Sequence, residues 1–191
     1  SWLAVGTARP PLAASALFPG MATAPLLQND GLVSGQAAVV LGVLHEGFSP
    51  NAKVQGAGDQ RVSMVPEVAK ALAKEGYTIV VETGAGVYAG VSDSAYTEAG
   101  CEICSRAQVM QKAQVLFSIE PPVRDFASMK GKVLVSWVGR LLDSGKSVVN
   151  SATLAGVTLI DVTAVPRITI AQKLDVLSSQ AKVAGHRAVI E

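Results

Sequence analysis

The chain has 191 residues, of which 49% are apolar, 16% charged and 5% aromatic, with 16 Lys+Arg against 15 Asp+Glu. Such a composition excludes disorder, which needs low hydrophobicity and a large net charge, and a formal charge of +1 gives no broad basic face for nucleic acid. Two cysteines can neither staple a disulfide scaffold nor complete a four-ligand zinc site, and no apolar run approaches the roughly 18–20 residues that span a bilayer.

Residues 1–36 hold one base, Arg9, and one acid, Asp30, with Pro10, Pro11, Pro19 and Pro25 scattered among Ala, Leu and Ser. No helical or strand period survives there. The segment reads as an irregular arm lying on a neighbour, or as an organelle targeting segment or its remnant, being Ala/Ser-rich and poor in acids. From Ala37 onward the punctuation is regular. Ala38–Leu44 is an apolar run of strand length, followed by a Gly/Asn/Asp-rich stretch, Gly47–Gln60. Pro66–Glu75 has the composition of a helix, with Pro in the first turn and Gly76 just past the end. Tyr77–Glu82, Cys101–Cys104, Val115–Ile119, Lys132–Val138 and Val157–Asp161 read as strands. Ser92–Ala99, Arg106–Lys112, Leu141–Ala155 and a long final run, Ala171–Ile190, read as helices. Alternation of this kind predicts a single doubly wound α/β domain over residues 37–191, with a mainly parallel sheet covered on both faces.

Three motifs invite chemistry and fail on geometry. Gly84-Ala-Gly86-Val-Tyr-Ala-Gly90 follows a strand, but its third Gly is one residue late for G-x-G-x-x-G and no helix opens directly from it. A tight loop is expected, with Ser92 or Asp93 capping a later helix. Cys101 and Cys104 have redox spacing, yet in a strand they stand about 10 Å apart, too far for a disulfide, so both are expected reduced and buried. Ser178, Asp175 and His186 suggest a triad, but His186 lies roughly 12 Å along one helix from Ser178.

The densest polar constellation is Pro166-Arg167-Ile-Thr-Ile-Ala-Gln172-Lys-Leu-Asp175-Val-Leu-Ser178-Ser179-Gln180. Gln172, Asp175 and Ser178 are spaced i, i+3, i+6 and would share a drifting face of one helix, with Arg167 in the loop feeding it. An amide, a carboxylate, a hydroxyl and a guanidinium suit an uncharged polar group such as a carboxamide. An ordinary solvated helix face would show the same spacing.

Arg167–Val189 resembles the loop and helix of the NAD(H)-binding component of the proton-translocating NAD(P) transhydrogenase family. Residues 37–191 as a whole resemble the alanine dehydrogenase/transhydrogenase N-terminal domain. Arg61-Val-Ser-Met-Val-Pro66-Glu67 is similar to that family's early R-V-A-x-T-P-E stretch. Glu82–Gly86, Ala89–Asp93, Tyr96 and Ala99-Gly100 are similar to its next loop and helix. The resemblance implies that Arg167, Gln172, Asp175 and Ser178 surround the nicotinamide of NAD(H), with Ser179 beside them. It also implies hydride transfer to NADP held by a partner component. Two rings at near-attack distance need no general acid or base.

The departures from the family are equally definite. Its lysine falls at Ser118, its dehydrogenase-branch histidine falls near Ser136-Trp137, and Ile170 stands where relatives carry Arg. In the family an NAD-binding Rossmann domain begins just beyond the equivalent of Glu191. NAD binding by this chain alone is therefore expected to be weak or absent, with a Rossmann half or partner subunits supplying the rest. Two functions are open at this point. One is a transhydrogenase-like domain; the other is a non-catalytic accessory subunit docked on an organellar membrane complex, mitochondrial or plastid. On the first, Arg167, Gln172, Asp175 and Ser178 should meet in one cleft at the sheet's C-terminal edge, with Arg167 about 2.7–2.9 Å from Asp175.

Overall fold

A computed structural model of the protein describes residues 38–47, 59–166 and 168–190, without the side chains of residues 172 and 173. The sheet has six strands in the order β3-β2-β1-β4-β5-β6. They are β1 (Val40–Val43), β2 (Thr78–Glu82), β3 (Glu102–Cys104), β4 (Val115–Phe117), β5 (Val133–Ser136) and β6 (Thr158–Asp161). Every pairing is parallel, so all strands end at one edge. The helices are α1 (Pro66–Lys74), α2 (Asp93–Glu98), α3 (Arg106–Lys112), α4 (Asp143–Ala155) and α5 (Val176–Ile190). The doubly wound α/β architecture is the one expected from the alternating pattern.

Side chains alternate along each strand, so the apolar runs feed two cores. Leu41, Val43, Ile79, Val81 and Tyr96 pack on one face, and Leu44, Val80, Val109, Leu116 and Leu134 on the other. Cys101 belongs to the first core and Cys104 to the second. Both are free and buried, as expected from their spacing. Burial pushes both thiols above the usual cysteine range, which keeps them protonated and unreactive. Helix ends follow the sequence signals closely. Pro66 opens α1, Gly76 takes a positive φ of 94° after it, Ser92 caps α2, and Gln108 accepts from the Ser105 N–H at the start of α3.

Two segments depart from the sequence reading. Val123–Met129, read only as chain after Pro121-Pro122, forms a 3₁₀ helix. Phe126 and Met129, three residues apart, fall on its buried side, which is the period of that helix. The final run is not one helix from Ala171 to Ile190. Thr169–Leu174 is a 3₁₀ turn, the chain breaks at Asp175, and α5 begins at Val176. The break has a clear cause: the Asp175 carboxylate accepts the N–H groups of Leu177 and Ser178 at 3.0 and 3.2 Å, a side-chain cap that starts a new helix. Gln172, Asp175 and Ser178 therefore do not share one helical face. Residues 1–36 lie outside the described residues.

Gly42, at the centre of β1, lets α3 settle directly on the sheet. A Cβ there would stand 2.7 Å from Ala113 Cβ, 2.8 Å from Leu116 Cδ2 and 2.9 Å from Val109 Cγ1. Gly42→Ala should therefore destabilise the domain by about 1–3 kcal/mol in chemical denaturation. Gly185→Ala on α5 meets nothing within 4 Å, and should stabilise by no more than about 1 kcal/mol. Equal effects at the two positions would show that the α3–β1 contact is not tight.

Candidate functional site

In an open parallel sheet the helices diverge where strand order reverses, leaving a crevice beyond the strand ends. Here the reversal lies between β1 and β4, and the chain fills it with its own carboxylate. Glu46, just past β1, accepts the N–H of Ile119 at 2.7 Å and that of Glu120 at 2.9 Å. The Ser118 hydroxyl lies 3.1 Å from Glu46 and 2.5 Å from the Glu120 carbonyl oxygen. Glu46 is only 8% exposed. Burial raises its pKa above the ordinary glutamate value, against the opposing pull of the Ile119 and Glu120 N–H groups and Ser118.

Beside this plug is a cavity of about 210 Å³ over the ends of β4 and β5. Its floor is Phe117–Ile119 and Val135–Trp137, and its other walls come from Arg61, Val62, Ser63, Val162, Val176, Ser179 and Gln180. Arg61 is its organising cation. The Arg61 Nε donates to Asp59 Oδ1 at 2.9 Å, one terminal nitrogen to Asp59 Oδ2 at 2.5 Å, and the other to Gln180 Oε1 at 2.8 Å. The guanidinium carbon stands 5.9 Å from the centre of the Trp137 ring, within cation–π range. The hydrogen bonds from Arg61 hold Asp59 below the usual carboxylate range.

The segment carrying Arg61 is anchored from beneath. Tyr96 is fully buried in α2, and its hydroxyl donates to the Met64 carbonyl at 2.6 Å. Burial above all pushes that phenol up to about 12. On the far side of the cavity Asp161, at the end of β6, accepts the N–H groups of Val138, Arg140 and Thr163 and the Thr163 hydroxyl. Burial alone would raise Asp161, but these donors outweigh it and hold the carboxyl below its usual range.

Of the residues singled out in the sequence, Asp175 and Ser178 are brought together. The Ser178 hydroxyl donates to Asp175 Oδ2 at 2.6 Å. Ser179 lines the cavity while its hydroxyl donates to the Val176 carbonyl. Arg167, and with it the expected pairing to Asp175, lies outside the described residues, as does the Gln172 side chain. His186 is exposed on α5. The Gly84–Gly90 stretch is the tight loop expected, with positive φ at both ends and the Gly84 N–H bonded to Asp93. Among the described residues no group of three His, Cys, Asp or Glu could hold a metal ion.

Sequence reasoning missed Arg61, Trp137, Gln180 and Glu46 as parts of one site. Arg61 and Gln180 sit inside stretches that carry the family resemblance and Trp137 at a departure from it, so their positions were marked although their meeting was not. Glu46 is a lone acid after a strand and gave no signal.

Glu46 supports a direct test. In Glu46→Gln the amide N–H₂ must face one of the donors the carboxylate now satisfies, which should cost about 1–3 kcal/mol. Its raised pKa also has a sign: this group's contribution is fully present below the free glutamate value of about 4.3 and is lost as pH rises through the higher folded value. Stability from Glu46 should thus grow on acidification from neutral toward that value, and the Gln variant should lack this growth. Asp59 and Asp161, held low, lose their contribution only at more acid pH. Denaturation curves measured across this range separate the two behaviours.

Residues 53–184 match the family described as alanine dehydrogenase/PNT, N-terminal domain. An NAD(P) transhydrogenase alpha-subunit polypeptide of Rhodospirillum rubrum is 39% identical over 142 residues, covering 70% of this chain and 36% of that protein. The NAD(P) transhydrogenase subunit alpha of Cereibacter sphaeroides is 40% identical over 142 residues, covering 70% of this chain and 26% of that one. Among solved structures, the transhydrogenase from Sinorhizobium meliloti superposes with a TM-score of 0.67 at 29% identity, covering 79% of this chain and 43% of that chain. An L-alanine dehydrogenase shares the fold at a TM-score of 0.56 and 20% identity, over 70% of this chain and 35% of that one. The chain thus spans less than half the length of each of these proteins. With most of the chain matched to one family and its sheet shared with that family's structures, the chain belongs to the alanine dehydrogenase/PNT N-terminal domain family.

Proposed function

We propose that this chain is a transhydrogenase-type domain that holds the nicotinamide of NAD(H) for hydride transfer to NADP carried by a partner component. The observation that carries the reading is the Asp175–Ser178 pair at the start of α5, locked at 2.6 Å beside the cavity. The Ser178 hydroxyl spends its single proton on Asp175, so the fixed pair presents acceptor oxygens suited to the N–H₂ of a carboxamide. Arg167 and Gln172 complete the set on the strength of the family resemblance. The nicotinamide ring supplies the hydride chemistry, and the side chains supply orientation and exclusion of water.

The positions where the resemblance expects a lysine and a histidine support the same reading. Ser118 and Ser136-Trp137 all line the cavity, and none of them can act as an acid or base near neutral pH. That favours transfer between two rings over amino-acid dehydrogenation. The second reading, an accessory subunit docked on an organellar membrane complex of mitochondrion or plastid, draws support from solvent-facing apolar residues. Leu141, Leu154 and Ile170 are 84%, 90% and 91% exposed. No helix among the described residues is long and apolar enough to cross a membrane, so membrane association on this reading runs through partner subunits. Isolation of the native protein as an unattached monomer would count against it.

Asp175→Asn tests the first reading. In the complete assembly the variant should fold normally and lose hydride transfer roughly tenfold or more; an undiminished rate would favour the accessory reading. Calorimetric titration of residues 1–191 with NADH should give weaker than micromolar binding. The described residues include no glycine-rich turn opening into a helix to cradle a pyrophosphate.

A further inference from the structure

Helix α5 carries the start of the proposed nicotinamide site but buries none of its own side chains, and from residue 181 to 190 every side chain is exposed. Its orientation therefore cannot come from an apolar stripe, as it does for ordinary surface helices. Arg61 reaches it with a long-range side-chain hydrogen bond to Gln180, across 119 positions of sequence. We propose that Arg61 is the positioning residue of this site: it sets the rotation of α5 about its axis, and so the direction in which Asp175 and Ser178 face.

The geometry supports this in three ways. A helix turns about 100° and rises about 1.5 Å per residue, so fixing the Gln180 side chain fixes where Ser178, two residues earlier, must point. Arg61 is itself fixed, because Asp59 takes two of its three nitrogens and its guanidinium carbon sits over the Trp137 ring. Only the edge toward Gln180 is left to reach the helix. Gln180 shares its side of α5 with Val176 and Ser179, which also line the cavity, so the link closes over the polar site and not over bare solvent. A lysine is a single point charge on a flexible stem. It could not hold Asp59, cover Trp137 and reach Gln180 together.

This inference rests on the nicotinamide reading for its purpose, but the contact can be judged alone. The test uses the full 191-residue chain carrying Trp2→Phe, which leaves Trp137 as its single tryptophan. Arg61→Gln, Arg61→Lys, Gln180→Ala and the Arg61→Gln/Gln180→Ala double variant are compared by amide hydrogen exchange and Trp137 emission. Each single variant should speed exchange at Ser179–Lys182 by about fivefold, the loss of roughly one net hydrogen bond, with sheet amides such as Val80 and Leu116 unmoved. The double variant should be no faster than the worse single one. Trp137 emission should shift in both Arg61 variants, and Arg61→Lys should not rescue. Additive effects, parallel acceleration in the sheet, or full rescue by lysine would overturn the proposal. Saturation-transfer NMR with NADH against ADP-ribose forms a separate arm: loss of signal from the nicotinamide protons alone in Arg61→Gln joins the contact to the ligand. Absence of that signal from the parent chain in the complete assembly overturns the nicotinamide reading without touching the exchange result.

Discussion

A carboxylate buried where the strand order reverses must be satisfied on every side, or the edge of the sheet that carries the site comes apart. Glu46 meets that demand with two backbone N–H groups from the end of β4 and the Ser118 hydroxyl. Removing such a charge from water is unfavourable, and only its hydrogen bonds make it tolerable. Because the donors lie just past β4 and the acceptor just past β1, the interaction ties together the ends of the two strands that part at the reversal. It also occupies the crevice where an open α/β sheet would ordinarily receive a ligand. The cavity is displaced one strand along, onto the ends of β4 and β5, and its walls have to be brought in from elsewhere in the chain.

Those walls come from segments far apart in sequence. Arg61 precedes α1, Trp137 follows β5, and Gln180 lies on α5, yet one guanidinium touches or faces all of them. Each support is secured by a different device. Tyr96 holds the Arg61 segment through the Met64 carbonyl. Asp161 holds the 138–140 turn beside Trp137. Asp175 both starts α5 and fixes Ser178. The two aspartates do similar work, gathering several backbone N–H groups around one carboxylate, and both lie at the C-terminal edge or just beyond it.

Much of the fold was legible because its signals are local. Apolar runs, Pro66, Gly76 and Ser92 mark element ends within a few residues, and alternation of strand and helix dictates a parallel sheet. The failures are local as well. A helical spacing continued through Asp175, and periodicity alone cannot distinguish an aspartate on a helix face from one that ends a turn and caps the next helix. The 3₁₀ segment from Val123 to Met129 buries only two side chains, too few to rise above the prolines before it. Asp175 and Ser178 stood out as a dense polar cluster and again by family likeness, whereas nothing local in Arg61 or Gln180 reveals a partner 119 residues away.

The side chains described around the cavity are already engaged with one another. Ser118, Ser136 and Trp137 present hydroxyls and an indole, and the Ser136 hydroxyl is already committed to the Ile119 carbonyl oxygen. The one described cation on the cavity wall, Arg61, is shared between Asp59 and Gln180. Around the cavity the described carboxylates serve as caps and clamps and Arg61 serves as a brace between Asp59 and Gln180, so what these side chains supply is fixed geometry.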